Sequence, residues 1–209
     1  MRKPLIAGAA AAGATLLGAA AVYYFREKAT PGPDYRVLAS DGEFEIRAYP
    51  AITVAETIVE GERKSALGRG FGTLADYIFA KSRPGEPLPM TVPVLQDAGD
   101  PMASDPPMFD DLVEGGWRVR FVMPEGRDGA NLPEPPEGVE LVELPARRVG
   151  AVRFSGTAND DKLAEHEDRL RGWLSRQNEP TASEPEYAFY NSPMIPPPLR
   201  RSEVLIPLG

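Results

Sequence analysis

The sequence predicts an α+β domain built from two like halves, and three observations carry that reading. First, Phe44-Glu45-Ile46-Arg47-Ala48-Tyr49-Pro50-Ala51, running on to Val54 and Gly61, reappears as Val139-Glu140-Leu141-Val142-Glu143-Leu144-Pro145-Ala146, running on to Val149 and Gly156. The offset is about 95 residues, too long for a solenoid unit. Second, both copies follow one plan: a strand, a proline step, a second strand ending in Gly, an amphipathic helix and a last apolar strand closing in Pro (Phe121-Val122-Met123-Pro124 and Val204-Leu205-Ile206-Pro207). Third, 209 residues with 42% hydrophobic and 26% charged suffice for one well-buried core beside a short accessory segment. Each half leaves a half-covered sheet, so the copies, approximately residues 35–124 and 139–208, are expected to pack as one pseudo-symmetric domain with its cavity near the joint.

The elements follow in order. Met1-Arg2-Lys3 precedes an uncharged run from Pro4 to Phe25, about the 20 residues a helix needs to cross a bilayer, with Tyr23, Tyr24 and Phe25 suited to an interface. Residues 1–29 are therefore read as a transmembrane anchor or, with Ala19-Ala20-Ala21 as a small-residue cleavage site, a signal segment. The anchor is preferred because the apolar run continues past that site into aromatics. Arg2 and Lys3 favour a cytoplasmic N-terminus, which puts the folded domain on the periplasmic side of an inner membrane, or outside the cell after cleavage. Residues 30–34, with Thr30-Pro31-Gly32-Pro33, form a stiff linker.

In the domain, residues 35–209, Tyr35 to Leu38 and Glu43 to Tyr49 read as a hairpin around Ser40-Asp41-Gly42, with Phe44, Ile46 and Ala48 on one face. Ile52 to Val59 is a β-branched strand. In the helix after Gly61, Leu67, Phe71, Leu74 and Ile78 recur at helical spacing and predict an apolar stripe that covers the sheet. The Asp-, Pro- and Gly-rich stretch from Gln96 to Gly116 reads as a long solvated loop. Trp117, Val119, Phe121 and Met123 alternate as a strand. The second helix, near Asn159 to Gln177, has Asn159 as N-cap and Leu163, His166, Leu170, Trp173 and Leu174 on one face. Tyr187 to Tyr190 is a further strand.

Charge and composition narrow the function. The net charge is -8, and setting aside Arg2, Lys3, Arg26, Lys28 and Glu27 leaves 19 basic against 30 acidic residues. No basic stripe exists for a phosphate backbone, so nucleic acid is not an expected partner. The chain has no cysteine and a single histidine, His166, which removes thiolate chemistry and a multi-histidine zinc site and leaves a Ser-His-Asp triad no spare imidazole.

The ordered set Phe44-Glu45-Ile46-Arg47-Ala48-Tyr49, Leu74-Ala75-Asp76-Tyr77-Ile78, Met90-Thr91-Val92-Pro93-Val94, Val119-Arg120-Phe121-Val122-Met123-Pro124, Tyr190-Asn191-Ser192-Pro193 and Arg200-Arg201-Ser202-Glu203-Val204 resembles the SOUL/haem-binding protein family. The resemblance covers almost all of residues 35–208. It implies a distorted antiparallel β-barrel of two like halves with two main helices against it, binding haem or a related tetrapyrrole non-covalently in an apolar cleft beside the first helix. On that reading Leu67, Phe71, Leu74 and Ile78 supply a wall, and Arg63, Lys64 and Arg69 reach the propionates. A histidine proposed as iron ligand in some members falls on Ala48 here, so ligation at that place is impossible, and His166 is the one histidine left for iron. As a residue on an apolar helix face it is also explained by packing alone.

The expected function is thus a membrane-tethered or exported tetrapyrrole carrier or buffer without catalysis. Two alternatives stand: an envelope interaction domain for another apolar ligand or a protein, and a carboxylate-dependent enzyme using Glu56 or Glu203 with Tyr77 or Tyr190.

Overall fold

In the computed structural model, residues 22–98, 116–127 and 131–209 are described. The anchor or signal run through Ala21, and most of the loop expected from Gln96 to Gly116, lie outside them. Helix α1 covers residues 22–28. Strands β1 (Arg36–Asp41), β2 (Phe44–Tyr49) and β3 (Ile52–Glu60) lead to α2 (Arg63–Ile78), then β4 (Val94–Ala98) and β5 (Gly116–Val122). The second copy supplies β6 (Glu140–Leu144), β7 (Arg147–Ser155), α3 (Asp160–Arg176), β8 (Glu186–Phe189) and β9 (Arg201–Pro207). Among the described residues no helix is long and apolar enough to cross a membrane.

The strands form one antiparallel sheet in the order β1-β2-β7-β9-β8-β4-β5-β3-β6. Setting β1 aside and exchanging the copies turns this order into its own reverse, so the duplication is realised as a pseudo-two-fold. The register obeys it too: Tyr49 pairs with Arg147, and the corresponding Leu144 pairs with Ile52. Each copy gives its first strand to the other, β2 to β7 and β6 to β3, and the two halves meet where β4 pairs with β8. Gly61 and Gly156 close the matching strands β3 and β7 with φ of 98° and 104°, a conformation that L side chains resist. The expected barrel is a curled half-barrel instead, with β1 and β6 as its edges.

Alternation along the strands sends every second side chain to the helices. α2 packs with Ala55, Val119, Phe121 and Met123, and α3 with Val152, Phe154, Val204 and Ile206. The opposite face has its own apolar middle, including Val54, Leu95, Val122, Val149, Ala151 and Leu205. α3 starts as expected, with the Asn159 side chain accepting from the Lys162 N–H at 3.2 Å.

Two details depart from the sequence reading. α2 is rotated from the predicted stripe: Ala66, Gly70, Leu74, Tyr77 and Ile78 are buried, Leu67 is half-buried and Phe71 is 42% exposed, touching Phe121 edge-on. Small residues at 66 and 70 cause this, since a Cβ on Gly70 would lie 2.6 Å from Val119 Cγ2 and the helix sits directly on β5 there. Gln96, Asp97 and Ala98 belong to β4 rather than to a loop. Their polar side chains tolerate burial because partners meet them, Arg63 donating to Gln96 at 3.2 Å and Arg120 to Asp97 at 2.6 Å.

Candidate functional site

The sheet face turned away from the helices carries two charged networks, each drawing on both copies. In the first, Arg120 donates to Glu56 at 2.9 Å and to Asp97 at 2.6 Å, and Arg147 grips Glu186 with two bonds of 2.5 and 2.8 Å. Burial pushes the Asp97 carboxyl up to about 6, against the pull of Arg120. In the second, the buried Arg47 forks onto Glu203 at 2.6 and 3.1 Å, Arg201 adds bonds of 3.0 and 2.7 Å, and the Tyr190 hydroxyl donates at 2.8 Å. Burial by itself would raise Glu203, but the hydrogen bonds and charge of Arg47 and the charge of Arg201 hold it below the usual carboxylate range. Burial, followed by the Glu203 charge, drives the Tyr190 phenol well above its ordinary value. The networks are not copies of each other, because Glu56 corresponds to Ala151 and Arg47 to Val142.

Beside the second network the surface opens. A cleft of about 720 Å³ lies at the ends of β7 and β9, beside the N-terminal half of α3 and the short 3-10 turn Pro197–Leu199. His166 and Phe154 belong to its lining, and Arg153, Lys162, Arg169 and Arg200 supply positive charge. A second cleft of about 360 Å³ adjoins it, with Tyr24, Tyr35, Tyr49 and Tyr190 among its walls. The two share Tyr24, Arg153, Leu199 and Arg201.

The charges around this double cleft differ in availability. Lys162 donates to the Ser155 carbonyl at 2.7 Å, Arg169 pairs with Glu43, and Arg200 donates to the carbonyls of Ile195 and Pro193, each at 2.6 Å. Arg153 is exposed, borders both clefts, and makes no ion pair or side-chain hydrogen bond among the described residues. Its counterpart in the first copy is Ile58, so this cation belongs to one half alone.

His166 is 6% exposed and packs on Phe154 with ring centroids 4.2 Å apart. Its Nδ1 lies 2.8 Å from the Lys162 carbonyl. A carbonyl only accepts, so Nδ1 carries a proton, and Nε2 is the ring nitrogen through which this imidazole could bind a metal. On the helix alignment that matches Leu74 with Leu170 and Ile78 with Leu174, His166 replaces Gly70. α3 makes its close approach further along, where a Cβ on Gly150 would lie 2.8 Å from Leu174. The second half thus carries an imidazole where the first carries a bare backbone. Among the described residues, no group of three or more His, Asp or Glu side chains is arranged to hold a metal ion.

The seven residues expected at the site all lie on α2 and border neither of these clefts. Leu74 and Ile78 are fully buried core. Arg63 is buried and bound to Asp160, Gln96 and the Ala158 carbonyl, tying the starts of α2 and α3 together. Arg69 turns back onto Ser65 and the Glu60 carbonyl, while Lys64 is exposed. Leu67 and Phe71 lie on the flank of α2, Leu67 packed against the core and Phe71 half-exposed against Phe121. Of the four residues considered for acid-base work, Glu203 and Tyr190 do meet, but the carboxylate is wholly buried under three donors.

A search of curated proteins finds no sequence match for this chain. Solved structures give the fold. The C-terminal domain of EcmrR is similar with a TM-score of 0.56 at 12% identity, covering 84% of this chain and 98% of that one. A hydrolase from Listeria innocua is similar with a TM-score of 0.54 at 11% identity, covering 82% and 94%. The family profile described as SOUL heme-binding protein matches residues 30–207, which takes in both copies of the repeat and the lining of the double cleft apart from the residues of α1. On that match the chain belongs to the SOUL haem-binding protein family.

Proposed function

We propose that this protein binds haem or a related tetrapyrrole non-covalently in the double cleft, as a carrier or buffer without catalysis, held at the extracytoplasmic face of a membrane by its N-terminal run. The observation that carries the reading is Arg153, an uncommitted cation at the junction of a tyrosine-walled recess and the larger cleft with His166 in its lining. A porphyrin needs a flat apolar slot, a cation for its carboxylates and, where iron is ligated, a neutral imidazole. The tyrosines, Arg153 and His166 supply these three, and the volumes lie in the range of small-molecule sites. When bound, the haem would bring its own redox and ligand chemistry; the protein's part is to hold it and to screen one face from water. The buried state of Glu203 supports binding over catalysis, although proteins of similar fold include a hydrolase.

Hemin titration of the purified protein tests this. Wild type should give a saturable Soret change at micromolar hemin. Arg153→Ala should weaken binding by about ten-fold, the size of one charge-assisted hydrogen bond, and His166→Ala should shift the Soret band. No saturable change in wild type rejects the reading, and an unchanged spectrum for His166→Ala removes the imidazole from iron. A second location is favoured by the exposure of Phe71: the flank of α2, with Leu67 and Phe71 as wall and Lys64 and Arg69 at the rim. Phe71→Ala weakening hemin binding while Arg153→Ala leaves it unchanged would move the site there. Co-purification of another apolar ligand or a protein in place of a tetrapyrrole would favour the interaction-domain alternative.

A further inference from the structure

We propose that the face bearing both cleft mouths lies against a phospholipid bilayer, so that the ligand enters from the lipid side; this rests on the tethered reading above. α1 is fixed on that face by its own polar residues. The Glu27 carboxylate accepts from Asn191 Nδ2 and the Ser192 N–H, each at 3.2 Å, and the Tyr23 and Ser192 hydroxyls are 2.8 Å apart. Burial would raise Glu27, yet hydrogen bonds from Tyr23, Ser192 and Asn191 hold it below the usual carboxylate range. Tyr24 then forms part of the wall of both clefts.

With its polar side turned inward, α1 leaves apolar side chains in water. Val22 is 63% and Phe25 65% exposed, and beside the loop that holds the helix Met194 is 78% and Leu199 51% exposed. Scattered apolar residues need no explanation, but Leu199 lines both clefts, Val22 and Phe25 belong to the helix whose Tyr24 lines both, and Met194 follows the Asn191-Ser192 pair that holds that helix. The chain that leads into α1 is uncharged from Pro4 to Ala21, so the patch begins where an apolar run of membrane-spanning length ends. Charge points the same way. The chain carries -8 overall, whereas six cations and three acids border the clefts, among them Lys28, Arg153, Lys162 and Arg200. An acidic protein with a locally basic, apolar-studded face suits anionic headgroups on that face.

The test uses the full-length chain in vesicles of phosphatidylcholine with phosphatidylglycerol. The natural sequence has no cysteine, so Met194→Cys, Leu199→Cys and, on the outer face of α2 in the other half, Thr73→Cys each give one labelling site. All three positions are exposed. With an environment-sensitive fluorophore attached, doxyl-labelled lipid should cut emission at 194 and 199 by about half or more and leave 73 unaffected, as expected for side chains lodged in the headgroup boundary. Flotation with the vesicles but equal emission at all three sites overturns the docking and leaves the tether; failure to float overturns both. Hemin titration of the unlabelled wild-type chain in the same vesicles is a separate arm. Retained hemin binding without quenching sinks this inference alone, and quenching without hemin binding sinks the tetrapyrrole reading alone.

Discussion

At the scale of single residues, the protein is decided by where a side chain would or would not fit. In α2, a Cβ on Gly70 would lie 2.6 and 2.8 Å from atoms of Val119, whereas Gly68 and Gly72 have nothing within 4 Å. Gly70→Ala should therefore cost roughly 1–3 kcal/mol through overpacking, while Gly68→Ala and Gly72→Ala should each gain up to about 1 kcal/mol through helix propensity. Urea unfolding of the three variants checks this, and a common sign for all of them would contradict the close seating of the helix. The same scale shows how far the site was legible. His166 was readable as a residue on an apolar helix face and as the chain's one imidazole. The partners of Arg63 were not legible, because Gln96 and Asp160 are brought to it by the tertiary fold. Arg153 was overlooked, though comparing the copies would have exposed it: a charge faces Ile58 across the repeat, and asymmetry within a duplication marks what the second copy does alone.

At the scale of elements, the repeat itself was legible, and so was its plan, because strand alternation and helical spacing are local patterns. The exchange of first strands was not. It depends on pairing across about 95 residues, and the polar strand β4 was hidden for the same reason, since Gln96 and Asp97 are acceptable inside only beside Arg63 and Arg120. The exchange has a consequence. Within the first half β1 pairs with β2, and β4 with β5 and β5 with β3, but these two pieces are joined only through strands of the second half. Neither half holds a continuous sheet. Residues 30–127 or 131–209 expressed alone should show no cooperative urea transition by circular dichroism, and mixing them should restore one. A sharp transition in either half by itself would refute the interdependence.

At the scale of the whole molecule, the two charged networks oppose each other in acid. Glu203 has its native pKa depressed, so it contributes stability above the unfolded carboxylate range that is lost as pH falls through the native value. Asp97 runs the other way. Its ordinary value is 3.8 and its folded value about 6, so between these the native state binds more protons than the unfolded one and stability declines as pH rises through the window. The shift corresponds to up to about 3 kcal/mol, fully expressed above pH 6. Asp97→Asn removes the titration and leaves the rest of the network in place. Its absolute stability depends on how well an amide satisfies Arg120, but its pH dependence does not. Relative to wild type, the variant should gain stability steadily between pH 4 and pH 6 and hold that gain to pH 7, measured by urea unfolding at each pH. A difference that stays flat across the range would mean that Asp97 titrates in the folded protein as it does in water, and that Arg118 and Arg120 fully offset its burial.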